Sequence, residues 1–421
     1  MQSSIKLRLT VMNFLQFAVW GAYLTSMGRY LGTAGFGSEI GNFYAMQGLV
    51  SLFMPALMGI VADRWIPAQR LLGLCHMLAG MLMLGVFLYT QTDTPSYPTL
   101  FALYSLSVAF YMPTLALSNS VAYTSLDQAG LDLVKSFPPI RVFGTVGFIC
   151  TMIAVSLLGL EATSGQFAVS AIISLVLAVY AQTLPNCPTA PKGQSKSLVE
   201  ALGLRAFVLF KQRKMALFFI FSMLLGVSLQ ITNGFANPFI STFGEIPAYA
   251  DTFGVKYANI LISLSQLSET LCILLIPFAL RRFGIRRVML IAMVAWVLRF
   301  ALLGLGNPGN GVWLFLLSMI VYGVAFDFFN VSGSLFVDKE TDPSIRSSAQ
   351  GLFMIMTNGI GATLGSLGAQ AVINHFVYSE HDTTAILAGW SMSWYIFAAY
   401  AAVVAVLFAL LFRYNTATEA K

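Results

Sequence analysis

Residues 387–412 read LAGWSMSWYIFAAYAAVVAVLFALLF, an unbroken run without one charged side chain. At 1.5 Å rise per residue, a helix over this run is about 39 Å long, enough to cross roughly 30 Å of bilayer hydrocarbon. A membrane-crossing strand would need a closed barrel with alternating apolar and polar positions, and the run does not alternate. Working outward, similar runs recur at 9–31, 40–62, 70–90, 98–122, 139–160, 166–184, 215–238, 257–280, 287–306, 311–336 and 347–373. The chain is therefore expected to be an all-α membrane protein with twelve transmembrane helices. Composition agrees: 57% of the 421 residues are hydrophobic and 10% are charged, against about a quarter charged in soluble domains. A cytosolic enzyme, a disordered chain and a nucleic-acid binder are excluded. The opening MQSSIKLRLT lacks a small-residue cleavage pattern, so the first apolar run is expected to remain as a span. Cys75, Cys150, Cys187 and Cys272 show no CxxC or zinc spacing and read as reduced, buried small hydrophobes. No metal or cofactor is expected.

Orientation follows from Lys and Arg placement between spans. Nineteen cations fall on one side, from Lys6 and Arg8 through Arg281, Arg282, Arg286 and Arg287 to Lys421; only Arg29 and Lys256 fall on the other. Both termini are expected to be cytoplasmic, and the net charge of +6 is a topology signal. The longest polar stretch, 185–214, begins PNCPTAPKGQSKS like a flexible linker. Its continuation, LVEALGLRAFVLFKQRK, reads as an amphipathic helix on the membrane surface. This divides the chain into an N-terminal six-helix bundle, 1–184, and a C-terminal one, 215–421, the layout of a carrier built from two parallel halves.

Four ionisable residues are counted inside spans: Arg141, Glu269, Arg299 and Asp327. Each costs about 2.5–3.5 kcal/mol at a helix centre on insertion scales, so each is a site candidate. Glu269 lies mid-span with Gln266 one turn before it, which places an amide and a carboxylate on one face. A carboxylate at that depth is costly to keep ionised and can exchange a proton; ionised, it can accept bonds from two sugar hydroxyls. Arg141, Thr145 and Phe148 share a helical face, with Pro138-Pro139 expected to start a fresh helix just before them. The plain alternative for Arg141 is a snorkelling topology arginine. Gln230 and Asn233 form a second amide pair, whose donors and acceptors match the edge of a purine or pyrimidine. Tyr322 and Phe326 share a face and offer rings on which a base can stack. Asp327 reads as a gate or proton-coupling carboxylate, or as the partner of a structural Arg299. Gln16, Trp20 and Tyr23 read as core. Gly361 and Gly365 read as a close-packing pair needing no ligand.

Two short basic turns occupy matching places in the halves: Gly59-Ile-Val-Ala-Asp63-Arg64, followed by Arg70, and Arg281-Arg282-Phe-Gly284-Ile-Arg286-Arg287. They resemble the loop signature of the major facilitator superfamily, although the first copy lacks the later glycine and paired arginines and the second lacks the acid. The resemblance implies the major facilitator fold, with Asp63 and Arg64 as a conformational latch. The segments FMPALMGIVADRW (53–65), FPPIRVFGTVGF (137–148), FSMLLGVSLQITN (221–233), SLSQLSETL (263–271) and VYGVAFDFFNVSGS (321–334) carry a closer likeness. They resemble the bacterial nucleoside:proton symporter family of nucleoside and xanthosine permeases.

That resemblance implies nucleoside import across the inner membrane by proton symport with alternating access. It implies substrate contacts from Arg141, Thr145, Phe148, Gln230, Asn233, Gln266, Glu269, Tyr322 and Phe326, with Glu269 or Asp327 coupling to protons. The partners expected are a nucleoside, a proton and the bilayer, with no nucleic acid and a monomer as the working unit. The alternative is a proton-coupled sugar or oligosaccharide permease, because Arg141, Gly144 and Gly147 also resemble span five of those carriers.

Overall fold

The structure, a computed structural model, describes residues 2–189, 200 and 204–414. Every regular element among them is helical. In chain order the α-helices of seven residues or more are α1 (Gln2–Gly21), α2 (Met27–Thr33), α3 (Ile40–Ser51), α4 (Met54–Arg64) and α5 (Ala68–Tyr89). Then come α6 (Tyr97–Gln128), α7 (Leu133–Leu157), α8 (Gly165–Ala181), α9 (Arg213–Leu229) and α10 (Ile231–Thr242). The last are α11 (Ala258–Leu305), α12 (Val312–Glu340), α13 (Arg346–Met354), α14 (Ala362–Phe376) and α15 (Thr383–Leu411), with a π-helical turn, Ile355–Gly361, before α14. Nine helical stretches among the described residues are long and apolar enough to cross a membrane. One of them, α11, is 48 residues long and breaks at Gly284, whose φ of 73° suits a residue without a Cβ. Of the expected linker start, 185–197, residues 190–197 lie outside the described residues, as does part of the surface helix after it. The described part of that helix, Leu204–Lys211, is a 3₁₀ turn.

Contacts divide the chain into two compact units. The first comprises Met1–Tyr30 with Leu49–Leu202, the second Leu31–Gly48 with Gly203–Lys421. Within the first, Leu9 and Met12 of α1, Leu72 and Cys75 of α5, Val121 of α6, Ile140 of α7 and Leu177 of α8 form a buried core. Lipid tails are as apolar as leucine, so close packing holds such helices together more than hydrophobic drive does. The α1–α7 contact shows it: a Cβ on Gly147 would lie 2.1 Å from the Phe14 carbonyl oxygen. Large side chains on the outer faces stay exposed, Val179 of α8 and Leu274 of α11 by 73% and 75%, a surface suited to acyl chains.

In the second unit, aromatic rings fill the interior. Phe218 packs against Phe336 and Phe353, and Phe239 against Phe315, Trp390 and Trp394. Gly361 and Gly365 do bring helices together, since Cβ atoms there would lie 2.5 and 2.0 Å from the Met223 and Val227 carbonyl oxygens of α9. Arg286, just past the Gly284 break, donates to the Ala409 and Phe412 carbonyls at 2.7 and 2.6 Å. The basic turn thus satisfies carbonyls that the end of α15 leaves without partners. Residues 37–48 seat on α14, where Gln370 donates to the Gly37 carbonyl and Asn374 to that of Ser38.

Three local expectations change. The first apolar run is broken by a turn at residues 22–26 between α1 and α2. Pro138-Pro139 does not start a helix: α7 begins at Leu133, and the prolines remove only early backbone bonds. Cys150 is exposed, whereas the other three cysteines are buried. Arg29 and Lys256, the two cations on the minority side, each have an acid beside them: Glu161 at 3.3 Å and Asp251 at 2.8 Å.

Candidate substrate site

In the first unit α7 presents its candidates toward α1. The Arg141 guanidinium lies over the Phe17 ring, 4.0 Å from its centroid. Phe148 is buried and meets Trp20 edge-on at 6.4 Å, and Trp20 in turn packs against Tyr111 at 6.0 Å. Thr145, one turn from each, is half-buried. A guanidinium fork, a hydroxyl and a ring wall therefore follow one another along one helix. The acid and base of the first basic turn, Asp63 and Arg64, occupy the last turn of α4, Asp63 half-buried and Arg64 exposed. An acid there opposes the helix dipole, so helix stability is not what places it.

The second unit holds the larger set. The seventh apolar run is interrupted at Gln230 (φ −89°, ψ −12°), between α9 and α10. The break lets Asn233 Nδ2 donate to Gln230 Oε1 at 2.9 Å. The bond orients both amides and leaves an NH₂ on Gln230 and a carbonyl on Asn233 for other partners. On α11, Gln266 and Glu269 are both half-buried one turn apart. A Cβ on Gly323 of α12 would lie 2.5 Å from the Ser268 carbonyl oxygen, so the two helices touch beside Glu269. At that contact Glu269 interacts electrostatically with Tyr322 and Asp327. Tyr322 and Phe326 stack with centroids 5.5 Å apart and planes 15° apart.

The alternative reading of Asp327, as the partner of Arg299, is not the arrangement found. Arg299 lies over the Tyr322 ring at 4.5 Å and donates from Nη1 to the Ser318 carbonyl at 2.8 Å and Ser265 Oγ at 3.4 Å. Its polar companions come from α11 and α12, which a scan along its own span cannot reveal. Asp327 Oδ2 is buried without a hydrogen-bond partner among the described residues. An ionised carboxylate so placed costs several kcal/mol, so its burial is informative about function rather than about stability. The sequence reading also passed over His76, a fully buried residue of α5 bonded to Gln16 and Ser174. It escaped because charged residues were counted and histidine was not; a lone imidazole inside 70–90 was the available signal.

Long apolar helices, lipid-suited outer faces and polar side chains gathered inside each unit define a polytopic membrane carrier. Comparison with known proteins makes this specific. Residues 3–417 match the family described as nucleoside H+ symporter. The chain is 50% identical over 415 residues to the xanthosine permease of Escherichia coli strain K12, covering 98% of this chain and 97% of that one. It is 46% identical to the nucleoside permease NupG of the same strain, with the same coverage. The crystal structure of nucleoside transporter NupG superposes with a TM-score of 0.89 at 46% identity, over 98% of this chain and 100% of the other. A xylose transporter, XylE from E. coli, shares the fold alone, with a TM-score of 0.61 at 13% identity. This chain belongs to the nucleoside H+ symporter family.

Proposed function

We propose that the protein imports nucleosides across the bacterial inner membrane by proton symport. The observation that carries the reading is the Gln230–Asn233 amide pair, locked by its own hydrogen bond at a helix break. A free NH₂ beside a free carbonyl is complementary to the donor–acceptor edge of a base. The Tyr322–Phe326 stack offers a ring wall worth about 1–3 kcal/mol per stacked base. Gln266 and Glu269 suit ribose hydroxyls, and Arg141, Thr145 and Phe148 supply a donor fork, a hydroxyl and a second ring. The permeases for xanthosine and nucleosides among its relatives support the same substrate class.

Asp327 or Glu269 takes up the proton in this reading. Both are acids within apolar helices, they interact with one another, and no salt-bridge partner of Asp327 is found among the described residues. The same proposal includes twelve spans in two six-helix halves, cytoplasmic termini, Asp63 and Arg64 as a latch, and a monomer as the working unit. Nineteen cations against two support the orientation. The test is uptake of labelled uridine, adenosine, xanthosine and a disaccharide into proteoliposomes with and without an inward proton gradient. Nucleoside uptake that the gradient stimulates is expected. Transport of the disaccharide in preference to every nucleoside would refute the reading.

A further inference from the structure

The imidazole of His76 is fully buried and held at both nitrogens by different helices. Nε2 lies 2.7 Å from Gln16 Oε1 of α1, and Nδ1 lies 2.9 Å from Ser174 Oγ of α8. Gln16 Nε2 donates to Thr114 Oγ1 at 2.7 Å, and Thr114 gives its one hydroxyl proton to the Tyr111 carbonyl. The Gln16 amide is thereby fixed with its NH₂ toward α6 and its carbonyl toward His76. A carbonyl oxygen has only lone pairs to offer, so His76 Nε2 carries the proton. Nδ1 of the neutral ring is then an acceptor, and Ser174 Oγ, 2.9 Å from both Nδ1 and the His76 backbone carbonyl, shares its one proton between them. Of the titratable groups on the helices around it, Tyr111 of α6 faces the ring edge-on at 5.9 Å. Here α1 contributes Gln16 and α8 contributes Ser174, both neutral, while Arg141 of α7 acts on Tyr111. No anion among the described residues faces the imidazole to stabilise a cation in this buried place.

Gln16 also accepts a bond on its backbone carbonyl from the Tyr111 hydroxyl at 2.9 Å. It therefore pins α1 to α6 through both its side chain and its backbone. The next residue, Phe17, lies under Arg141, and Trp20, one turn on, lies against Phe148. We infer that His76, as its neutral Nε2–H tautomer, is a positioning residue that sets Gln16 and thereby the Phe17–Trp20 surface on which Arg141 and Phe148 rest. The inference rests on the proposal that Arg141 and Phe148 contact the nucleoside; the tautomer itself does not.

Two measurements test it. In proteoliposome uptake, His76→Leu should raise the nucleoside KM about tenfold, the loss of about one buried hydrogen bond's worth of orientation. His76→Gln, which can still donate to Gln16 and accept from Ser174, should stay within about twofold of native KM with an unshifted pH profile. Melting in detergent shows whether each variant is folded; should His76→Leu not fold, Ser174→Ala replaces it, with a severalfold rise expected. Independently, ¹⁵N imidazole shifts of histidine-labelled protein should show His76 as the neutral Nε2–H form from about pH 5 to 8, and a tautomer mixture in Ser174→Ala. A folded His76→Leu with native KM, no rescue by Gln, a shifted pH profile, or an Nδ1–H or doubly protonated ring would each overturn the inference. If the native protein takes up no nucleoside, the proposed function fails while the nitrogen shifts still decide the tautomer.

Discussion

Replacing Gly365 by alanine adds one methyl group where α14 meets α9. That Cβ would lie 2.0 Å from the Val227 carbonyl oxygen and 2.7 Å from both Cα and C of Val227. All three are backbone atoms, so no rotamer change relieves the clash. Restoring an ordinary 3.4 Å contact requires the helices to separate by about 1.4 Å. Overpacking of this kind costs about 1–3 kcal/mol, and backbone-on-backbone contact argues for the upper end. Val227 lies three residues before Gln230, so the displacement is passed to the amide pair. A hydrogen bond lengthened by more than 1 Å is lost, at about 1 kcal/mol or more for each ligand bond. Nucleoside KM should rise roughly tenfold. The control lies one turn along the same helix: a Cβ on Gly368 meets nothing within 4 Å. Gly368→Ala should leave KM unchanged and raise stability by up to about 1 kcal/mol, as glycine gives way to a better helix former. Thermal melting and uptake kinetics read both. Equal melting temperatures and equal KM for the two variants would refute the reasoning.

Other consequences are as definite. Arg299→Leu removes a buried cation–π contact worth about 2 kcal/mol, frees the Tyr322 ring and should raise nucleoside KM about tenfold or more; an unchanged KM would separate Tyr322 from the site. Arg29→Ala takes the guanidinium away from Glu161, whose side chain is 4% exposed, and should cost about 3 kcal/mol by denaturation. Adding Glu161→Gln should restore most of it, because the amide still bonds Ser156; no recovery would mean that the charge is not the cause. Of Glu269→Gln and Asp327→Asn, the variant at the coupling acid should keep nucleoside exchange yet lose gradient-driven accumulation. Native accumulation in both would remove both acids from the proton path.

How much of this was legible depended on whether the deciding contact lay along one helix or between helices. Apolar runs gave the membrane helices because length and composition are properties of a segment. Gly361 and Gly365 were legible because a small-residue repeat of four marks a close face in any membrane helix. The Gln230–Asn233 and Tyr322–Phe326 pairings were readable from helical spacing, since both partners sit on adjoining turns. The break at Gln230 was not, because nothing in LLGVSLQITN interrupts apolar periodicity. The neighbours of Arg299, read as a structural residue, were not legible for a related reason. Its real neighbours, Tyr322, Ser318 and Ser265, come from the α11–α12 contact, which depends on Gly323 allowing the helices to meet. His76 shows the same limit: its two partners lie 60 and 98 residues away.

The central claim is that nucleoside and proton move together through this protein. Simultaneous recording of labelled uridine uptake and lumenal pH in proteoliposomes holding the purified chain tests it most directly. Uridine added outside should acidify the lumen as it enters, and an inward proton gradient should drive uridine above its external concentration. Uridine entry with no proton movement, or proton movement indifferent to uridine, would contradict it.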